Sequence, residues 1–303
     1  MTREDFIREK PVFSIALDGY VKGKPFFERK GPYANFNHHE DVDRLSTRST
    51  CYQVYVAIKQ GLFNTFKEKG QPHANLYEND ADQDVCLSTW LLKNSERIHR
   101  TKSEPLITRL VGVQELLDAT AGTYPIEPNT KIMHELAWIF EPYTDSRIGG
   151  RVQHMDAPEM RNIIEAVCKR ISDYTINKGE KKEPDTRYES VGGGTSWAMI
   201  KEHGYYARSA LFARGISSFV SVRENGDGTF SYSIGKVSPY VDFPIECIYK
   251  RLNKIEAIAD ENTNRWGGGD TIGGSPRIGG SKLSPKDLEK IINETLQFLD
   301  IKK

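Results

Sequence analysis

The sequence predicts an α/β protein of two domains, and three observations carry the prediction. An apolar run ends in an acid and a glycine at Asp18-Gly19. A second extended stretch, 74–78, leads into Asp80-Ala81-Asp82-Gln83-Asp84 and on into an apolar segment of helical character. Beyond a charged stretch broken by Gly and Pro, the pattern changes to a hairpin with helices around it, the mark of a smaller α+β C-terminal domain. A chain of 303 residues has room for both, since domains commonly run to about 100–200 residues.

In chain order, 11–20 reads as a strand closed by a turn, so the first carboxylate, Asp18, stands at a strand end. A helix is expected over 45–61, from Leu45 onward: Ser and Thr are available as caps, apolar residues recur at helical spacing, and Gly61 ends the run. The segment 85–92 continues the acidic run as a helix, and further helices are expected at 113–119, 130–140 and 157–178. Glu141 to Arg147 reads as a solvated turn in preference to a cleft lining. The polar stretch at 178–185 marks the boundary, giving domains at 1–178 and 189–303 joined by a linker at 179–188. In the second domain, 219–223 and 229–234 flank Glu224-Asn225-Gly226-Asp227-Gly228, a hairpin signal. A helix over 243–259, a loop at 266–281 with seven glycines in sixteen residues, and a last helix over 285–299 complete the chain.

Composition narrows the function. Lys plus Arg number 42 and Asp plus Glu number 42, so no net field draws the molecule to long nucleic acid or an anionic membrane. No run approaches the roughly 20 apolar residues of a membrane span, and the N-terminal residues have no apolar signal segment, so a cytoplasmic protein is expected. Cys51, Cys86, Cys168 and Cys247 lack C-x-x-C spacing, which disfavours a zinc knuckle or a disulfide framework and leaves buried, reduced thiols as the expectation. Ser196 lacks the G-x-S-x-G surroundings of a hydrolase nucleophile, and His134-Glu135 lacks the second histidine of a zincin.

Two ligand-rich stretches remain. Asn35 to Asp43 carries His38-His39 among carboxylates, and Asp80, Asp82 and Asp84 would share one side of an extended strand because alternate side chains do. With Asp18, His38 and His39 they form a candidate two-metal set, rich enough in oxygen to favour manganese, with magnesium as the substitute, over zinc. In the glycine loop, Gly268, Gly269, Gly273, Gly274 and Ser275 would let backbone N–H groups approach a phosphate, and Arg277 would add a two-pronged contact. Taken singly, a histidine pair in a loop is more often hydrogen-bonded or solvated than ligating. An acidic run also suits a helix N-terminus, and Asp18 suits a turn. One dinuclear site accounts for all of them together.

The order of an Asp-Gly strand end, a histidine pair opening a Ser/Thr-rich helix, an aspartate triplet and a Gly-Gly-rich loop resembles the DHH-type phosphoesterases with their DHH-associated domain. The resemblance implies a mainly parallel sheet with flanking helices, two manganese ions, and a glycine loop that grips substrate phosphate. Asp80, Asp82 and Asp84 would stand for the family's H-x-D-x-D element, Asp18 for its lone bridging acid, and Asn37-His38-His39 for its D-H-H element. Asp80 then replaces a histidine and Asn37 an aspartate. The acidic element follows the histidine pair where in the family it precedes it, and the loop's histidine is missing. The expected activity is hydrolysis of a small phosphodiester or nucleotide, with His38 or His39 protonating the leaving oxygen; a homodimer is compatible with it. The alternatives are a non-catalytic nucleotide-binding protein on the same scaffold, and an enzyme holding one magnesium against a nucleoside triphosphate.

Overall fold

Ser14, Ile15, Ala16 and Leu17 are all buried, and a strand with no exposed face must lie inside a sheet covered on both sides. In the computed structural model of the chain, which describes residues 1–43, 46–122 and 124–300, these four residues are β1 (Ser14–Leu17). The protein is mixed α/β. By compactness it divides into two units, 1–119 with 131–183 and 120–130 with 184–303.

The first unit opens with α1 (Arg3–Glu9), capped by the Thr2 side chain. Phe6 anchors α1 through edge contacts to the rings of Tyr20, Tyr33 and Tyr77. After β1 come β2 (Phe26–Glu28) and β3 (Tyr33–Phe36), then α2 (Thr50–Lys59), the small hairpin β4 (Lys67–Glu68) and β5 (Gln71–Pro72), and β6 (Asn75–Tyr77). The sheet order is β2-β3-β1-β6; β1 runs parallel to β3 and β6, and β2 closes one edge antiparallel to β3. The helices are α3 (Gln83–Lys93), α4 (Ser95–Ile98), α5 (Pro105–Ala119), α6 (Lys131–Ile139), α7 (Glu141–Ile148) and α8 (Ala157–Thr175). α3 packs on α2 and α8, and α2 packs on α5.

Helix starts follow local chemistry. Ser49 caps α2, so the helix begins at Thr50; the expected start at Leu45 lies outside the described residues. Asp156 and Glu159 form a reciprocal capping box at α8. Residues 141–148 form a helix where the sequence suggests a solvated turn, because Pro142 sits in the first turn, where no backbone N–H is needed.

The second unit is built on a six-stranded sheet in the order β11-β12-β10-β9-β8-β7. Its elements are β7 (Tyr188–Gly193), β8 (Ala198–Glu202), α9 (Ala207–Ala213), β9 (Ser218–Glu224), β10 (Phe230–Lys236), α10 (Ile245–Ile255), β11 (Gly267–Gly268), β12 (Ile272–Gly274) and α11 (Pro285–Asp300). β8 and β9 pair parallel across α9, and the other pairings are antiparallel. Gly226 and Gly228 take the left-handed conformations that close the β9–β10 hairpin. The core gathers Trp197, Tyr232, Phe243, Trp266, Leu288 and Ile292, with the Tyr232 and Trp266 rings stacked. Residues 120–130 belong with this unit although the sequence gives them to the first domain; the Gly122 carbonyl accepts the Ser209 hydroxyl of α9.

Among the described residues no helix is long and apolar enough to cross a membrane. The four cysteines are unpaired; Cys51 and Cys86 are buried, Cys168 is half-buried, and Cys247 is exposed, contrary to expectation, because it lies on the outer side of α10.

The glycine loop has a packing reason that its composition does not disclose. A Cβ on Gly273 would collide with the Gly267 carbonyl and the Tyr249 hydroxyl, and one on Gly274 with the Tyr232 carbonyl. Gly273→Ala is therefore expected to destabilise the protein by about 1–3 kcal/mol, as overpacking does, measured by denaturant unfolding. An unchanged midpoint would show that β11 and β12 separate freely.

Candidate metal centre

Three parallel strands deliver their carboxyl ends to the same edge of the first sheet, the side where open α/β sheets bind ligands. Asp18 follows β1 and takes a left-handed conformation, φ 48°, that aspartate tolerates better than most residues. Asn37, His38 and His39 follow β3. The Asp18 amide donates to the Phe36 carbonyl at 2.8 Å, which locks the ends of β1 and β3 together. The end of β6 leads to Asp80 and Asp82.

Asn37 is buried and shapes the turn. Its Nδ2 donates to the Gly23 carbonyl at 2.9 Å and lies 3.4 Å from that of Val21, while its Oδ1 accepts the His39 amide at 3.1 Å. Only an amide side chain does both, so asparagine at this position is explained by the fold.

Asp18, His38 and His39 each offer a ligand atom within 4.8 Å of the others, and His38, Asp84 and Asp118 do the same. The Asp18 Oδ1 lies 2.9 Å from His39 Nε2 and 3.4 Å from His38 Nε2, and it accepts the Thr50 hydroxyl at 2.9 Å. His38 is wholly buried, with Nε2 2.8 Å from Asp118 Oδ2 and 3.9 Å from Asp84 Oδ2. Neither His38 ring nitrogen has the alignment of a hydrogen bond. The His39 side chain is 37% exposed, its ring centre 4.4 Å from that of His38.

The aspartate triplet does not form one face of a strand. β6 ends at Tyr77, the Asp82 carboxylate accepts the Val85 amide at 2.8 Å as the cap of α3, and Asp84 sits in that helix's first turn. Capping and the helix dipole outweigh extension here. Asp84 reaches the centre while accepting the Thr50 and Cys51 amides at 2.7 and 2.9 Å. Asp80 accepts the neighbouring Ala81 amide at 2.6 Å and lies outside both ligand groups.

Asp118, at the end of α5, is missing from the sequence expectations, although a signal exists. Gln114 and Glu115 are buried on the same helix, polar residues on a stripe that packing alone would make apolar. Gly268, Gly269, Gly273, Gly274, Ser275 and Arg277 lie in the second unit. There the Gly269 amide is spent on the Ile272 carbonyl and the Ser275 amide on that of Tyr232, so these N–H groups are committed to the sheet. Arg277 is exposed.

The electrostatics fit a cation. Burial would raise the Asp18 carboxyl, but His38 and His39 prevail and hold it well below the usual carboxylate range. Burial, with the neighbouring charges of Asp18 and Asp118 added, pushes Asp82 and Asp84 well above it. Burial opposes charge on His38 too, yet Asp118 and Asp18 outweigh it and raise its pKa to about 10. Among the described residues neither Lys nor Arg forms an ion pair with Asp18, Asp82 or Asp84. Buried, crowded carboxylates whose positive neighbours are the two imidazoles are a donor set suited to hard divalent cations, which would take the place of the His38 proton.

A stability slope follows for the metal-free chain. His38 titrates near 6.5 when unfolded and about 10 when folded, so its contribution is complete below pH 6.5 and is lost as the pH rises through 10. Thermal midpoints are expected to fall over that window by the equivalent of a few kcal/mol, and His38→Gln should flatten the slope. An equal slope in the variant would show that His38 is not the titrating group.

No protein-family model matches the chain, and neither does any curated protein or solved structure.

Proposed function

We propose that the first unit is a metal-dependent phosphoesterase centre holding two manganese ions, with magnesium as the substitute, and that the chain is a divergent, permuted member of the DHH-type phosphoesterases. The observation that carries the reading is the convergence of Asp18, His38, His39, Asp84 and Asp118 from two strand ends and two helices. Divalent cations held there would supply Lewis acidity, activating water and offsetting charge on phosphate oxygens.

The chain's own groups have separable tasks. Asp18, buried and held ionised by His38 and His39, would be the principal charged ligand. His38 Nε2 faces both groups of carboxylates but has one lone pair, so it would serve one cation and leave a second to the carboxylates. Asp82 caps α3 beside the centre, and neither it nor Asp80 belongs to a ligand group. His39 is oriented by its 2.9 Å contact to Asp18, and its exposure suits it to give a proton to the leaving oxygen. The substrate class that such a centre suits is a small phosphodiester or nucleotide.

Elemental analysis of the purified chain and of Asp118→Asn, with turnover of bis(p-nitrophenyl) phosphate, tests the reading. Two equivalents of manganese and turnover are expected, both falling sharply in the variant. A chain that takes up no divalent metal removes the proposal. The shared His38 nitrogen favours one second reading, a nucleotide-binding protein holding a single ion without turnover, which the stoichiometry distinguishes.

A further inference from the structure

Two of the carboxylates that approach His38 are held by one residue. Thr50 opens α2 and is wholly buried. Its hydroxyl donates to Asp18 Oδ1 at 2.9 Å, and its backbone amide donates to Asp84 Oδ2 at 2.7 Å. Asp18 arrives from the end of β1 and Asp84 from the first turn of α3, so covalent structure leaves their spacing open. Thr50 closes it. We propose that Thr50 is the positioning residue that fixes the separation of the Asp18 and Asp84 carboxylates for cation binding, an inference that rests on the metal reading above.

The hydroxyl has a second acceptor within reach, the Phe36 carbonyl at 3.3 Å, but it carries one proton. The shorter, charge-assisted bond to Asp18 takes it. β-Branching restricts the Thr50 side chain to few rotamers, so the hydroxyl is aimed before any ligand arrives. The backbone is equally fixed. The Cys51 amide donates to the other Asp84 oxygen at 2.9 Å, and on the opposite side the Ser49 amide donates to Glu115 Oε2 at 2.7 Å. Arg48 holds Glu115 Oε1 at 3.2 Å, so the start of α2 is gripped from α3 and α5 together. A carboxylate oxygen engaged in this way has a defined orientation, and its remaining lone pairs are directed where a cation can use them.

The test is calorimetric titration of the full chain with manganese, comparing wild type, Thr50→Val and Thr50→Ser, with thermal midpoints recorded without metal. Val keeps the shape and loses the hydroxyl, whereas Ser keeps the hydroxyl and loses the methyl. Thr50→Val is expected to bind about 10–100-fold more weakly at a comparable midpoint, as outer-sphere changes do, and Thr50→Ser to bind like wild type. Should Thr50→Val unfold, Thr50→Ala takes its place under the same criteria. Wild-type affinity in the variant without the hydroxyl overturns the inference, and so does a loss in Thr50→Ser equal to that in Thr50→Val, which would put the effect in packing. A wild-type chain that takes up no manganese fails the metal reading itself, and that result is visible before any variant is compared.

Discussion

On the proposed reading, Asp18→Asn is expected to lower phosphodiester turnover on the order of 1,000-fold and to abolish the rise in thermal midpoint on adding manganese, because it removes a ligand charge. The substitution isolates that charge well. Asparagine tolerates the φ of 48° found at this position, and its carbonyl oxygen can still accept the Thr50 hydroxyl. The strand end and the start of α2 therefore keep their geometry while the ligand is lost. Turnover and metal-linked stabilisation equal to wild type would show that Asp18 is only the turn-forming residue its sequence context allows.

Asn37→Asp is expected to have the largest effect on stability, and in the direction opposite to what motif resemblance suggests. It would restore the first aspartate of a D-H-H element. In this fold, however, it sets a buried carboxylate against the Gly23 and Val21 carbonyls, which now receive the Asn37 amide. It also adds negative charge beside a centre already crowded with it. An unpaired buried charge costs about 3–5 kcal/mol, enough to unfold many domains, and denaturant melts in the absence of metal measure it directly. Improved manganese affinity with unchanged stability would mean that position 37 is a ligand position and that its asparagine is no part of the fold.

The parts of the fold that the sequence makes legible are those decided by neighbours in the chain. The strand before Asp18, the helices that became α2 and α3, and the β9–β10 hairpin rest on apolar period, caps and turn glycines, all of which act within a few residues. The centre is legible in its strand-end members. Asp18, His38 and His39 meet, and Asp84 joins them. Asp118 does not announce itself, because its role comes from the packing of α5 on α2 and α3, a relation between distant segments. Asp80 and Asp82 divert to backbone amides for the same local reasons that begin α3. The glycines at 268, 273 and 274 look alike in sequence whether they cradle an anion or admit a crossing backbone, and three-dimensional proximity decides between the two.

The donors of the centre are spread along the chain from residue 18 to residue 118, and the last arrives only when α5 has docked. If the centre binds cations as proposed, chelation is a late property of folding, unavailable to a nascent polypeptide still lacking that helix, because such distant pairings must close large loops first. Manganese uptake followed in time during refolding would serve as a clock for the completed first unit, lagging behind the signals of its earlier secondary structure.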